Sequence, residues 1–304
     1  MPITLPTLRD LVDAGAHYGH QRAKSYPKAR QFAFTVREHT LVINLEQTVE
    51  ALAGATKALT ELAANGKTIL FVGTKPQAVD AVRAAATKTG MPYVAQRWLG
   101  GTLTNFHTIQ QNLKKLTDLE TLMASEVFEA MSKKDRGRAT KQHAKLVKIF
   151  EGMKGLGRRP DALVLVDITE ENIALAEARR LGVPTFAIVD TNANPDLVTH
   201  AIPANDDSRR AIALILDVLA EAILEGKSQI PAVVKPDLTD ATKAERMAAE
   251  TPAEAELVAP DAAPVVADAP VEAAKKPAAK KTTKAAAAEK KPVAKKAAPK
   301  KKAA

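Results

Sequence analysis

Three short apolar runs constrain the fold more than any other feature of the chain. They lie in KTILFVG (Lys67–Gly73), DALVLVD (Asp161–Asp167) and TFAIVD (Thr185–Asp190). Each is rich in β-branched residues and apolar at consecutive positions, so each reads as a strand buried on both sides. Helical patterns separate them. One covers Lys75 to Lys88 and is closed by Gly90 and Pro92. Another covers Glu170 to Leu181 and ends at Gly182. A third follows IPANDD, with Asp207 as its expected cap, and ends at Gly226. Shorter strands are expected at Pro92–Gln96 and His200–Ile202. Alternation of this kind predicts α/β architecture, a parallel sheet with helices on its faces. Upstream, Ala33–Val36 and Leu41–Asn44 read as a hairpin. Asn44 with Gln47 resembles a capping box for a helix from Leu45 to Ala64.

One segment interrupts the alternation. Between Asn105 and Gly155 no strand pattern occurs. Apolar residues fall at Ile109, Leu113, Leu116, Leu119 and Met123, then at Ala139, Leu146, Phe150 and Met153. Two such seams, joined by a polar turn around Ser132–Arg138, predict an antiparallel two-helix coiled-coil arm inserted at about 105–155. Its second half is basic: residues 133–159 hold 10 Lys or Arg against 2 acids.

Charge divides the chain further. Residues 1–230 carry 29 basic and 25 acidic side chains, residues 231–274 carry 3 and 9, and residues 275–304 carry 12 and 1. The expected organisation is an α/β body over 1–230 and a tail over 231–304 that is acidic, then lysine-rich. The tail is dominated by Ala, Pro, Glu and Lys and has no aromatic residue, so a disordered segment is expected there. Its Lys-Lys pairs suit phosphate binding or a merely solvated arm. The absence of cysteine rules out disulfides, thiolate metal sites and a cysteine nucleophile, and fits a reducing cytoplasm. Neither a signal peptide nor a membrane-length apolar run is visible, so no membrane partner is expected.

The candidate functional residues are mostly cations. Arg22, Lys24, Lys28, Arg30 and Arg37 lie among Tyr26, Phe32 and Phe34 with no acid between His20 and Arg37. The cations suit phosphate, whereas Phe32 and Phe34 alternate like inward strand residues and read as core. On the arm, Lys133, Lys134, Arg136, Arg138, Lys141, Lys145 and Lys148 form the second basic set. A third element is QRWLGGTLTN (Gln96–Asn105). It joins the sole tryptophan, Trp98, to Gly100-Gly101 and a polar trio, and suits a turn that presents a surface, with Arg97, Thr104 and Asn105 as binding candidates. Lys75, after a strand end, is expected to open a helix and face phosphate. A parallel sheet also invites a nucleotide- or metal-dependent enzyme as the alternative. Yet no G-x-x-x-x-G-K-[ST] or G-x-G-x-x-G follows any strand, and no nucleophile–base pair is evident. No catalytic residue and no cofactor is therefore expected. His17 and His20 are three apart, and Asp167, Asp190, Asp206 and Asp207 sit at or just past the expected strand ends. If zinc or magnesium is held, His17, Asp190, Asp206 and Asp207 are the candidates; the other reading makes them turn caps and packed side chains.

In one order the chain contains GAHYGHQ (Gly15–Gln21), INLEQT (Ile43–Thr48), ILFVGTK (Ile69–Lys75), RWLGGTLTN (Arg97–Asn105), PDALVLVD (Pro160–Asp167) and FAIVDTNANPD followed by IPANDD (Phe186–Asp207). Together these blocks resemble the universal small-subunit ribosomal protein S-two family in its bacterial form, over nearly all of residues 5–228. The resemblance implies a Rossmann-like (flavodoxin-like) sheet with a protruding coiled coil. It also implies a structural role in the 30S subunit, binding to 16S ribosomal RNA, neighbouring subunit proteins, and docking of ribosomal protein S-one for translation. Three positions depart from the family pattern. Ser25-Tyr26 stand where tryptophan and asparagine are usual, Ala204 replaces a glycine whose φ could be positive, and Arg159 replaces an apolar residue.

Overall fold

The structure is a computed structural model and describes residues 4–229. The expected tail, 231–304, lies outside the described residues.

Five parallel strands carry the body: β4 (Ile69–Val72), β5 (Tyr93–Val94), β6 (Ala162–Val166), β7 (Thr185–Val189) and β8 (His200–Pro203). Their spatial order is β5-β4-β6-β7-β8. Counted among the parallel strands this is 2-1-3-4-5, the flavodoxin-like doubly wound order, and it reverses between β4 and β6. The period-2 pleat divides each strand between two cores. Ile69, Phe71, Val164, Val166, Phe186 and Ile188 face one side. Leu70, Val72, Leu163, Leu165, Ala187 and Val189 face the other. This is why the runs are apolar at consecutive positions.

The first face is covered by α2 (Leu45–Ala64), α3 (Val79–Thr89) and α8 (Arg209–Ser228), with α1 (Leu8–Asp13) beside α2. Helix α2 has the expected bounds, and the Asn44 side chain caps it by accepting from Glu46 N–H at 3.0 Å. Gln47 does not complete a capping box, because its Oε1 is buried without a hydrogen-bond partner. Helix α8 is capped by Ser208, not Asp207. Its Gly226 is interior and lies so close to α2 that a Cβ there would meet Thr60 O at 2.3 Å. Helix α3 begins at Val79 rather than Lys75. Ala204 has no positive φ, so this turn holds an alanine without that strain.

The second face receives α7 (Asn172–Leu181), Trp98 and the base of the helical insertion. The insertion comprises α4 (Phe106–Met123), a short α5 (Glu126–Ala130) and α6 (Lys133–Phe150). Helices α4 and α6 pack on one another, and Ile109, Leu116, Phe150 and Met153 anchor them in the core. The polar turn expected at Ser132–Arg138 is instead the start of α6, where Ser132 Oγ accepts from Asp135 N–H at 3.2 Å. The reversal falls earlier, around α5.

A separate antiparallel sheet of β1 (Tyr18–Gln21), β2 (Ala33–Arg37) and β3 (Thr40–Ile43) has the order β1-β3-β2. The β2–β3 hairpin matches expectation; β1, just upstream, joins it by pairing with β3, which the sequence pattern does not show. Phe34 is not core. It is 74% exposed on edge strand β2, while Phe32 is half-buried.

Candidate nucleic-acid interface and a carboxylate cluster

The cations separate into those the fold neutralises and those it leaves exposed. Lys133, Lys134, Arg136, Lys141, Lys145 and Lys148 are all exposed on α6, and among the described residues none of them pairs with a carboxylate. Arg138 is exposed too, with Asp135 at 3.9 Å one turn away. In the N-terminal cluster Arg22, Lys24, Arg30 and Arg37 are exposed, while Lys28 pairs with Asp196. Arg30 Nε donates to Ser25 Oγ at 3.1 Å. Tyr26 is 36% exposed, with its N–H donating to Thr191 O at 2.8 Å. Arg159 is exposed and lines an open groove with Arg158, Phe106 and Pro184.

Lys75 belongs to the other group. Its Nζ lies 2.7 Å from Asp206 Oδ1, 2.6 Å from Asp207 Oδ1 and 3.4 Å from Asp167 Oδ2. Burial opposes its charge, but Asp206 and Asp207 outweigh this and hold its pKa above the ordinary value. A lysine enclosed by three carboxylates is not offered to phosphate, which corrects the expectation for this residue.

Asp167 stands at the carboxyl end of β6, Asp190 at that of β7, and Asp206 and Asp207 just past β8, beside the switch point where doubly wound sheets bind ligands. Glu171 fills the same crevice and accepts from Thr74 N–H at 2.7 Å; burial pushes its pKa up. Asp167 adopts φ 65° and accepts from Thr169 N–H at 2.9 Å. His20 joins from β1. Its Nδ1 lies 3.1 Å from Asp190 Oδ2, and its Nε2 lies 3.9 Å from Asp207 Oδ2. The interaction with Asp190 raises the His20 pKa. Burial, then Asp167, pushes Asp206 up to about 7. The metal-capable set is His20, Asp190 and Asp206, whose donor atoms lie within 4.8 Å of one another. His17 is not part of it and packs against the Tyr18 ring at 4.0 Å. His17 lies in the turn before β1, whereas His20 lies on the strand itself.

In the Gln96–Asn105 segment Arg97 and Asn105 are exposed, and Asn105 Oδ1 accepts from Thr108 Oγ at 3.0 Å. Trp98 is buried, at 6% exposure. Thr102 is buried and donates to Leu99 O at 2.6 Å. Of the glycine pair, Gly101 alone needs its freedom, at φ 93°. The hydroxyl of Thr104 is already engaged, donating to Glu177 Oε2 at 3.1 Å. Sequence reasoning missed Glu177 and Glu171, and of the histidine pair His17 and His20 it took His17, where the structure places His20 in the cluster. Glu177 was visible as a carboxylate within the apolar stripe of α7, beside Ala174, Leu175 and Ala178.

The site thus lies on a doubly wound α/β body whose switch-point crevice holds Lys75, Glu171 and the aspartates, and which bears a basic helical pair. A family model described as Ribosomal protein S2 matches residues 11–226. The chain belongs to that family of structural proteins of the small ribosomal subunit. Among the described residues no helix is long and apolar enough to cross a membrane.

Proposed function

We propose that the protein binds 16S ribosomal RNA through two exposed basic surfaces, the face of α6 and the Arg22–Arg37 segment, with further contacts from exposed Arg97 and Asn105 in the Gln96–Asn105 turn. The observation that carries this reading is the contrast between Lys75 and α6. Lys75 is consumed inside the fold, whereas the α6 cations are exposed and, among the described residues, six of them face no carboxylate. Lys or Arg bound to phosphate releases counterions, so binding must weaken steeply with salt. The test is sedimentation of the tagged full chain with small subunits at two salt concentrations. Co-sedimentation at low salt that declines at high salt is expected; a protein that stays in the soluble fraction at low salt refutes the reading.

The helical insertion acts as a coiled-coil arm in this reading, and β2 as a protein-docking edge. Phe34 and Val36, two apart on one side of that strand, are 74% and 46% exposed. They suit docking of ribosomal protein S-one, the partner the family resemblance implies. Phe34→Ala should lower S-one retention on subunits while leaving incorporation of this protein intact; unchanged retention removes the assignment. Catalysis is not part of the proposal. The crevice holds Lys75, and the Thr74 N–H that could meet a phosphate is taken by Glu171. Calorimetry with ATP or NAD should show no binding at micromolar concentration.

A bound divalent cation is a second element, favoured by one observation. Asp206 Oδ2 is buried and lacks a hydrogen-bond partner. Asp167, Asp190, Asp206 and Asp207 also outnumber the cations set among them, Lys75 and His20. A histidine nitrogen with two carboxylates suits zinc better than magnesium. His20, Asp190 and Asp206 would hold it, and its charge would tie β1 to the main sheet. Zinc should raise the melting temperature of metal-free protein and do so much less in Asp206→Asn. Equal shifts in both rule the site out.

A further inference from the structure

We infer that Glu177 is the positioning residue of the Trp98–Asn105 segment, holding it in its RNA-binding shape before RNA arrives. The inference rests on the RNA-binding reading. One carboxylate gathers donors from along the whole turn. Its Oε1 accepts from Trp98 Nε1 at 3.2 Å and Gly101 N–H at 2.7 Å. Its Oε2 accepts from Leu103 N–H at 2.9 Å, Thr104 N–H at 3.1 Å and Thr104 Oγ at 3.1 Å. Glu177 is 8% exposed, and among the described residues no lysine or arginine pairs with it. Its charge is balanced by the turn alone.

Backbone N–H groups converging on one point form a nest suited to an anion. In this protein the anion is its own. Two consequences follow. The amides of Gly101, Leu103 and Thr104 are not available to a phosphate, so RNA contact from the segment falls to Arg97 and Asn105, whose side chains are exposed. The turn is also ordered in the free protein, so binding does not bear the entropic cost of ordering it. Because Asn105 is the residue that precedes α4, the same carboxylate sets where the helical pair leaves the body.

Trp98 is the sole tryptophan, so its fluorescence reports this turn alone. The test compares the full-length chain, Glu177→Gln, and a triple variant with Lys141, Lys145 and Lys148 changed to Gln. Each is assayed for acrylamide quenching of Trp98 and for affinity to 16S ribosomal RNA. Gln keeps the shape but turns an NH2 toward N–H donors. Glu177→Gln should show several-fold stronger quenching and about tenfold weaker RNA binding, the scale expected when one preorganised interaction is removed. The triple variant should lose affinity with Trp98 quenching unchanged. Wild-type quenching in Glu177→Gln overturns the inference whatever the RNA affinity. Stronger quenching with full RNA affinity, while the triple variant is impaired, overturns the link to RNA and leaves the RNA reading standing. A wild-type chain that does not bind RNA defeats that reading instead. Should Glu177→Gln fail to fold, hydrogen exchange on the wild type decides: the amides of Gly101, Leu103 and Thr104 should be as protected as those of β6, and fast exchange overturns the proposal.

Discussion

Glu177 shows how much one side chain can organise. Burial raises its pKa, but the N–H groups of Gly101, Thr104 and Leu103 and the Trp98 indole outweigh this and hold it below the usual carboxylate value. A depressed carboxylate stabilises the fold above its unfolded pKa, and that stability is lost as pH falls through the folded pKa. The stability gap between wild type and Glu177→Gln should therefore be full at neutral pH, on the order of 2–4 kcal/mol. It should close below the ordinary glutamate value of about 4.3. Urea unfolding of both proteins across that range measures it; a pH-independent gap would show that the charge is not what matters. The same logic of burial separates Lys75 from Lys141. Both are lysines, yet one is enclosed by Asp167, Asp206 and Asp207 and the other faces solvent.

Among the elements, α6 and α8 are built for opposite ends. Helix α8 buries Ile212, Ile215, Leu216, Leu219 and Ile223 and packs against α2 and α3. Gly226→Ala would drive a methyl against the Thr60 carbonyl and force the helices apart, costing about 1–3 kcal/mol. Denaturant unfolding should show a lower midpoint with an unchanged slope. Helix α6 buries only Ala139 and Phe150 and exposes its cations. Lys141, Lys145 and Lys148 are spaced to lie near one face. Changing all three to Gln should weaken RNA association and flatten its log–log salt dependence by about 2, roughly 0.7–0.9 for each phosphate no longer neutralised. The sheet should melt as before. An unchanged salt slope would assign α6 to a protein partner.

For the whole molecule, charge distribution is the dominant property. The net charge is +9, and residues 275–304 alone hold 12 lysines against 1 acid. Truncation after Ser228 should lower RNA affinity and its salt slope together while subunit incorporation survives, because the α/β body retains both exposed basic surfaces. Equal affinity in the truncated protein would make the lysine-rich segment a solvated arm.

The layered α/β body was legible because a doubly buried strand must be apolar at consecutive positions, a pattern no surface element shares. The helical insertion was legible from its two seams, and the basic surfaces from charge counts, since both are local properties of the chain. The turn at Gln96–Asn105 could be read as shaped but not as anchored, because its partner Glu177 is 73 to 79 residues away from the groups it binds and a carboxylate on an apolar stripe does not name what it will meet. The Lys75 cluster is the same case on a larger scale. A lysine after a strand looks identical whether it faces solvent or carboxylates, and only the parallel packing of β4, β6, β7 and β8 brings Asp167, Asp206 and Asp207 to its ammonium. Phe34 was misjudged for the complementary reason: alternation predicts which side of a strand a residue takes, whereas burial depends on whether another layer covers that side. Periodicity and charge are written in the chain; the pairing of distant polar groups and the covering of a face arise only when the elements pack.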